Sequence, residues 1–373
     1  MTFKTMISIK EVKTKKELKQ FIRYPKQLYK DCPYYVPPLE SEEYQILTAH
    51  PAQSFCTLRL WLAYKNGKIA GRIGGMINHR YNELKNRKRI RFGWFDVDND
   101  IDIAKALLET VENWGCEENL LEISGPSRYS NMEKQAMLVE GFDIPTTISS
   151  DYNFPYYPLF MDELGYKKEE DYLQMKVEIK EIPENIKKLS KQLSERYHIQ
   201  TKKFKNKKEI INYATLFLKA LNDSFVNVYN FIPLTDSEIE YLIKNNFSMV
   251  DKDLIVILVD ENDHVVGFSL SVPSLTKAFR KANGKLFPFG WYHILKALKK
   301  NDTVDLYLTG VLPQWINRGI HALYHYQLHQ NYLDKGYQFA ITTQQSESSN
   351  SYRIWERYGG KVISKRRCYL KQL

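Results

Sequence analysis

Residues 60–77 read LWLAYKNGKIAGRIGGMI, two apolar runs joined by Asn66-Gly67, and residues 254–272 read LIVILVDENDHVVGFSLSV, two apolar runs joined by a polar DEND turn. Asn-Gly between apolar runs is a strong short-range hairpin signal, because both turn residues must take positive φ. Gly71 and Gly267 hold matching places in the second arm of each hairpin. The sequel is repeated too. A helical segment (102–117 and 319–335) leads to an apolar strand (LLEISG at 120–125 and QFAITT at 338–343). Then come an asparagine (Asn131 and Asn350) and a helix ending at glycine (Gly141 and the Gly359-Gly360 doublet). Two similar hairpins can arise by chance, but the same sequel after each points to duplication. The pattern predicts two tandem copies of one α/β domain of the α+β type, each with a mixed sheet.

A chain of 373 residues suits two domains at roughly 150 residues each. The break is expected in the Lys-rich helical stretch 183–196, between strands over 172–179 and 198–204, giving domains 1–182 and 183–373. Gly71 to Asn131 spans 60 residues and Gly267 to Asn350 spans 83, so the second copy carries about 23 more, placed at 274–300. With 43% hydrophobic and 26% charged residues the chain can bury a core, which excludes a disordered class. The longest aliphatic run, Leu254 to Val259, is far shorter than the roughly 20 residues a membrane span requires. Residues 1–12 lack the apolar stretch of a signal peptide, so a cytoplasmic protein is expected. Cys32, Cys56, Cys116 and Cys368 are too dispersed for a zinc or redox pair. A net charge of +10 implies an anionic partner, whether nucleic acid, anionic lipid or a phosphorylated ligand.

The passage from strand to helix differs between the copies. The second reads LYLTGVLPQWINRGIHALYHY, with Asn317-Arg318-Gly319 opening a helix. Free N–H groups at a helix start, the helix dipole and an arginine together suit a phosphate, although glycine there also serves as a plain cap. The first reads GWFDVDNDIDIAKALLE, where Asp96, Asp98, Asp100 and Asp102 surround the helix start and would repel an anion. An anionic cofactor is therefore expected in the second copy.

Strand, V-x-P, Arg-Gly, helix, then strand, Asn and a helix ending WERYGGK resembles the GNAT superfamily of acyl-CoA-dependent N-acyltransferases, over most of the chain. YYVPPL at 34–39, GRIGGMIN at 71–78, GPSRYSN at 125–131, YNFIPLTDSE at 229–238 and NGKLFP at 283–288 are similar to a bacterial group of tandem GNAT proteins that includes ceramide synthases. The resemblance implies acyl-CoA as co-substrate. The backbone of Leu308, Thr309, Gly310 and Val311 would pair with its pantetheine arm, and Asn317, Arg318, Gly319 and Ile320 would cradle its pyrophosphate, with Asn350 as a further contact. Three positions depart from the family's pattern: Ile316 replaces a polar loop residue, His321 a small one, and Trp355 the tyrosine that protonates the leaving thiolate. Tyr352 or Tyr358 would then act as the acid, or bulk water would.

Acyl transfer to an amine needs the two reactants held in line, a neutral amine and a donor for the carbonyl oxygen. Asn222, Thr235, Asp236 and Glu238 are polar residues flanking the aromatic segment 222–238, and Asn222 is the preferred acceptor contact. Thr235 to Glu238, T-D-S-E, reads as a capping box. His321, His325 and His329 share one helical face, but no HExxH-like carboxylate accompanies them, so no metal is expected. In the insertion, Trp291, Ile294, Leu295 and Leu298 follow helical spacing with Lys296, Lys299 and Lys300 opposite. Such a helix packs on its own domain, covers a long acyl chain or lies on an anionic membrane surface. The basic runs 85–91 and 202–208 are read as solvated loops, which makes nucleic acid a poor partner.

The expectation is an N-acyltransferase acting on a small-molecule or lipid-like amine such as a sphingoid base, cytoplasmic and able to sit at the inner membrane surface. The alternative is a degenerate, non-catalytic pair that binds acyl-CoA or nucleic acid.

Overall fold

The protein is described by a computed structural model over residues 6–225, 228–246, 251–349 and 352–373. The first half runs β1 (Ile7–Glu11), α1 (Lys15–Leu28), α2 (Glu40–Ala49), β2 (Cys56–Lys65), β3 (Lys68–Asn78), α3 (His79–Lys85), β4 (Arg89–Val97), α4 (Ile101–Glu117), β5 (Glu122–Gly125), β6 (Met137–Glu140), α5 (Tyr156–Glu163) and β7 (Lys167–Glu178). The second half runs α6 (Glu184–Tyr197), β8 (Gln200–Thr201), α7 (Lys207–Ser224), α8 (Asp236–Asn246), β9 (Ile255–Val259), β10 (Val265–Pro273), α9 (Thr276–Ala282) and α10 (Gly290–Lys299). It ends with β11 (Thr303–Val311), α11 (His321–Asp334), β12 (Phe339–Ile341), β13 (Gln345–Ser346), α12 (Tyr352–Arg357) and β14 (Lys361–Gln372).

Local chemistry accounts for the elements that frame the duplication. Asn66 and Gly67 take φ of 51° and 77°, as the β2–β3 turn requires. Asp100 caps α4 through the Asp102 N–H, and Ile103, Leu107, Leu108 and Val111 then fall on one buried face of that helix. That face packs on Ile73, Ile90, Phe92 and Ile123 of the sheet. In the second half α11 sets Leu323 and Leu328 against Val256, Leu258 and Leu306. On the opposite face α7 sets Phe217 and Leu221 against Ile257 and Phe268. Each such buried side chain contributes about 1.5–3 kcal/mol relative to exposure.

All the strands join one mixed sheet, with order β1-β2-β3-β4-β5-β14-β7-β12-β11-β10-β9-β8. Read from either end the order is the same series of five, meeting at two exchanged strands. The chain's last strand, β14, runs antiparallel beside β5 of the first half, with Tyr369 opposite Gly125. Likewise β7 runs antiparallel beside β12 of the second half, with Val177 opposite Ala340. The two exchanged strands then pair with each other from Lys361↔Lys176 to Leu370↔Lys167. Each half thus lends its final strand to the other, and a cut at 182/183 divides the chain without dividing the sheet.

The repeat differs from its expected form in one place. Residues 137–140 form strand β6, so no helix ends at Gly141. The helix equivalent to α12 is α5, followed by Gly165 where α12 is followed by Gly359. The first half holds its extra length after β5, and the sequence comparison slipped because an Asn and a Gly ten residues apart occur there too.

Candidate acyl-transfer cleft

In each half the central parallel pair lasts only three residues before the strands part. In the first half it runs from Arg89↔Glu122 to Arg91↔Ser124, and in the second from Thr303↔Phe339 to Asp305↔Ile341. Each long strand continues on its other side with a one-residue slip. Trp94 and Phe95 face the single Ile73, and Tyr307 is the extra residue between Leu306↔Ser271 and Leu308↔Leu270. Such bulges re-aim backbone groups. Leu312 N–H donates to Val266 C=O at 2.9 Å, toward β10. By the alternation of a strand, the N–H and C=O of Val311 and Thr309 therefore face the gap between β11 and β12. That edge, residues 307–311, is half-exposed.

Beyond β11 the chain turns through Pro313–Trp315, takes φ of 65° at Asn317 and 77° at Gly319, and enters α11 at His321. The positive φ explains the glycine at 319. Helix α11 starts two residues later than Gly319, and no described group accepts the N–H of Asn317, Gly319 or Ile320. Ile320 is buried and fixes the turn to the core. Arg318 is exposed, its guanidinium lying over the rings of Trp315 at 5.1 Å and Tyr197 at 5.7 Å. Unpaired N–H groups, the dipole's positive end and an arginine are features that favour an anion.

Where β11 and β12 part stands Asp305, a residue the sequence reading passed over. It is buried, and neither carboxylate oxygen has a well-formed hydrogen-bond partner. Burial pushes its carboxyl up to about 7, with the nearby Ser274 hydroxyl pulling only weakly the other way. A group that exchanges its proton near neutrality, at the mouth of a cleft, is suited to act as a general base. Its one sequence signal was an isolated acid inside the apolar strand TVDLYL. Next to it, burial raises the Tyr307 hydroxyl, with Glu133 and Glu42 of the first half adding to the effect, so the first half borders this side of β11.

In the first half a cavity lined by Gly93, Trp94, Phe95, Asp96, Ser127 and Tyr157 lies where the strands part, and the strand edge beyond it is occupied by side chains. Val97 matches Val311 in register, opposite Gly71 where Val311 is opposite Gly267. The Val97 N–H donates to the Tyr157 hydroxyl at 2.8 Å, and its C=O accepts from the Tyr156 hydroxyl at 2.7 Å. Of the four aspartates, Asp100 and Asp102 sit at the start of α4 and Asp96 and Asp98 are held by other partners. Asp96 is buried against Arg72 at 2.7 Å, Asp98 accepts from the Tyr24 hydroxyl at 2.6 Å, and Asp100 caps α4 while paired with Lys65. At the place of Asp305 stands Arg91, also buried, with Nε and Nη2 unpartnered and its guanidinium 4.2 Å from the Tyr81 ring.

The other predicted residues fall out as follows. Leu308 and Gly310 pair with β10, and Thr309 and Val311 face the gap. Tyr352 and Tyr358 pack against the same core cluster as Val311. Tyr358 stacks near His325 at 5.6 Å and Trp355 at 6.2 Å, and burial raises its hydroxyl. Asn350 lies outside the described residues. Asn222 is occupied elsewhere: its Oδ1 accepts from Leu234 N–H at 2.7 Å and its Nδ2 donates to Leu234 C=O at 3.2 Å, so the amide staples a loop to α7. Glu238 and Thr235 form the expected capping box. The histidine row does not converge. His325 is buried among Tyr324, Trp355 and Tyr358 and held down to about 3 by burial, and His329 contacts the Lys180 carbonyl. Among the described residues no group of His, Cys, Asp and Glu could hold a metal.

Two surface readings are corrected. In 85–91 only 85–88, at the end of α3 and in the turn to β4, are exposed; Arg89 and Arg91 are core residues of β4, Arg89 paired with Glu122 at 2.8 Å. The alternation of a strand buried on both faces places them inward. In α10, Ile294 is buried and Leu298 half-buried, while Trp291 and Leu295 are exposed. The four-residue stripe is wider than the contact the short helix makes.

No protein-family model matches the chain. It is 28% identical to the protein YghO of Escherichia coli over 81% of this chain and 77% of that one. It is also 28% identical to a bacterial ceramide synthase of Caulobacter vibrioides over 79% of this chain and 77% of that one. A solved tandem GNAT protein from the clavulanic acid biosynthesis pathway superposes with a TM-score of 0.55 at 10% identity, covering 98% of both chains. The chain has the tandem GNAT fold.

Proposed function

We propose that the protein is an N-acyltransferase that moves an acyl group from acyl-CoA to an amine, with its reaction site in the second of two GNAT-like halves, 1–182 and 183–373. The observation that carries this reading is the asymmetry of the two strand edges: in one, no described side chain hydrogen-bonds Val311 and Asp305 stands where the strands part; in the other, Tyr156 and Tyr157 hydrogen-bond Val97 and Arg91 stands there. The residues present fit acyl-CoA. Asn317, Arg318, Gly319 and Ile320 would take the diphosphate, and the free backbone edge at Thr309 and Val311 would take the amides of the pantetheine arm.

Asp305 accepts the proton of the ammonium or of the attacking amine, so that nitrogen presents a lone pair to the thioester carbonyl. The bulge at Tyr307 frees backbone from the ladder beside that carbonyl, where an N–H can stabilise developing charge. As the C–S bond breaks, the thiolate takes a proton from Tyr358 or Tyr352. Tyr358 packs against the same core cluster as Val311, which places its ring beside this strand edge.

The acceptor is proposed to be a long-chain or lipid-like amine. The 28% likeness to a protein named ceramide synthase supports this, as do the carboxylates of Glu42 and Glu133 near Tyr307, which suit a cation. Release of free thiol from acyl-CoAs of increasing length, with a sphingoid base as acceptor, tests the reading. Turnover that needs both substrates is expected. Failure to bind any acyl-CoA contradicts it.

A further inference from the structure

The segment 274–300 contains seven basic residues, Lys277, Arg280, Lys281, Lys285, Lys296, Lys299 and Lys300, and no acidic one. All seven are exposed. On the same segment Phe287 is 76% and Phe289 69% exposed, and Trp291, Tyr292 and Leu295 are each about half exposed. These include every exposed phenylalanine and tryptophan among the described residues. An isolated exposed apolar side chain needs no explanation, but five within nine residues form a patch that a soluble surface rarely keeps.

The patch is built and held. Its underside, Ile294 with Ala278, Phe279 and Ala282 of α9, packs on Val36 and Leu39 of the first half. The Trp291 N–H donates to Leu286 C=O at 2.9 Å, and its indole N–H donates to Pro288 C=O at 2.8 Å, so the aromatic turn is fixed outward. At the base, Asn301 Nδ2 donates to Ser274 C=O at 2.7 Å, closing the insertion beside Asp305. No described helix is long and apolar enough to cross a membrane. Aromatic side chains rimmed by lysines, without acids, are complementary to an interface with apolar depth and negative charge.

We infer that the surface formed by Phe287, Phe289, Trp291 and Leu295 with Lys296, Lys299 and Lys300 docks on an anionic lipid bilayer. The aromatics enter the acyl boundary and the lysines meet the headgroups. This stands apart from the proposed reaction, because docking is read without turnover.

The test is co-sedimentation of the full chain with vesicles of phosphatidylglycerol and phosphatidylcholine, against vesicles of phosphatidylcholine alone. Wild type is expected to bind the anionic vesicles and to release as salt rises. The variant Phe287→Ser/Phe289→Ser/Leu295→Ser is expected to bind at least ~10-fold less. The variant Lys296→Gln/Lys299→Gln/Lys300→Gln is expected to lose roughly 5-fold per lysine. Both should keep the wild-type melting temperature, since the altered side chains are exposed. Equal binding to neutral vesicles, wild-type binding by both variants, or capture of a second copy or an acidic carrier protein without vesicle binding would overturn the inference.

Discussion

Two clefts of one protein share backbone geometry and differ in what fills them. In each, a parallel pair three residues long opens beside a bulge, so shape alone does not make a reaction site. In the first, tyrosine hydroxyls satisfy the Val97 N–H and C=O, the Asp100 carboxylate caps the helix start, and a cation occupies the parting point. In the second, no described side chain hydrogen-bonds the same backbone groups at Val311, the helix start has an arginine over two aromatic rings, and Asp305 stands where the other half has Arg91. Under the proposed function, the first half's own side chains supply the hydrogen bonds that a ligand would otherwise make at Val97. Glu42 and Glu133 of the first half act electrostatically on Tyr307 of the second.

The comparison is broken most severely at Asp305. Asp305→Asn is expected to lower acyl transfer by about 10²–10⁴-fold, the usual worth of a general base, with acyl-CoA affinity retained. The wild-type rate should climb with pH through about 7 as the carboxyl deprotonates, and this limb should vanish in the variant. Stability should move the other way. The native carboxyl titrates above its unfolded counterpart, so its contribution is intact below pH ~4 and is lost as pH rises through about 7. Asp305→Asn should therefore be more stable than wild type at pH 8, by up to ~4 kcal/mol, and no more stable at pH 4. Chemical denaturation at the two pH values checks the sign.

The tyrosine pair is next. Tyr157→Ala removes a buried ring and leaves Val97 unpaired, which should cost about 3–5 kcal/mol without lowering turnover of the folded fraction. Gain of a second acyl-CoA site in that variant would show that the tyrosines alone exclude the ligand, and that the acids do not. Asn222→Ala should cost about 1–3 kcal/mol by orphaning Leu234, and turnover per folded enzyme should stay within about twofold. A loss comparable to that of Asp305→Asn would return Asn222 to the reaction. The smallest effect is expected at Arg318→Ala, where an exposed charge leaves the diphosphate. KM for acyl-CoA should rise by no more than roughly fivefold with kcat little changed, since exposed ion pairs are worth about 0.2–1 kcal/mol.

Much of this asymmetry was legible in the residues. The hairpins, the helix starts and the contrast of four aspartates with Arg318 follow from local rules of turns, caps and dipoles, and they appear as expected. The strand exchange was not legible, because β7 and β14 are ordinary alternating strands whose partners are chosen by tertiary packing. Asp305 was missed because a lone acid in an apolar strand says nothing until the neighbouring strand is seen to leave it. Asn222 misled for the converse reason: an amide near an aromatic segment resembles a ligand contact, and only the loop folding back at Leu234 shows that its hydrogen bonds are already used. Arg89 and Arg91 sat in a basic run, where sequence cannot separate a surface cluster from two arginines buried by strand alternation.

The central claim, that only the second half takes the acyl donor, is tested most directly by calorimetric titration of wild type and Gly310→Trp with a non-hydrolysable acyl-CoA. A Cβ at Gly310 would already lie 2.7 Å from the Phe268 ring and 3.2 Å from Ser224 Cβ, so an indole there pushes β11 and α7 apart beside the gap. One site per chain in the wild type and none in a folded Gly310→Trp is the predicted result. Two sites per chain, or one site that survives the substitution, would contradict it.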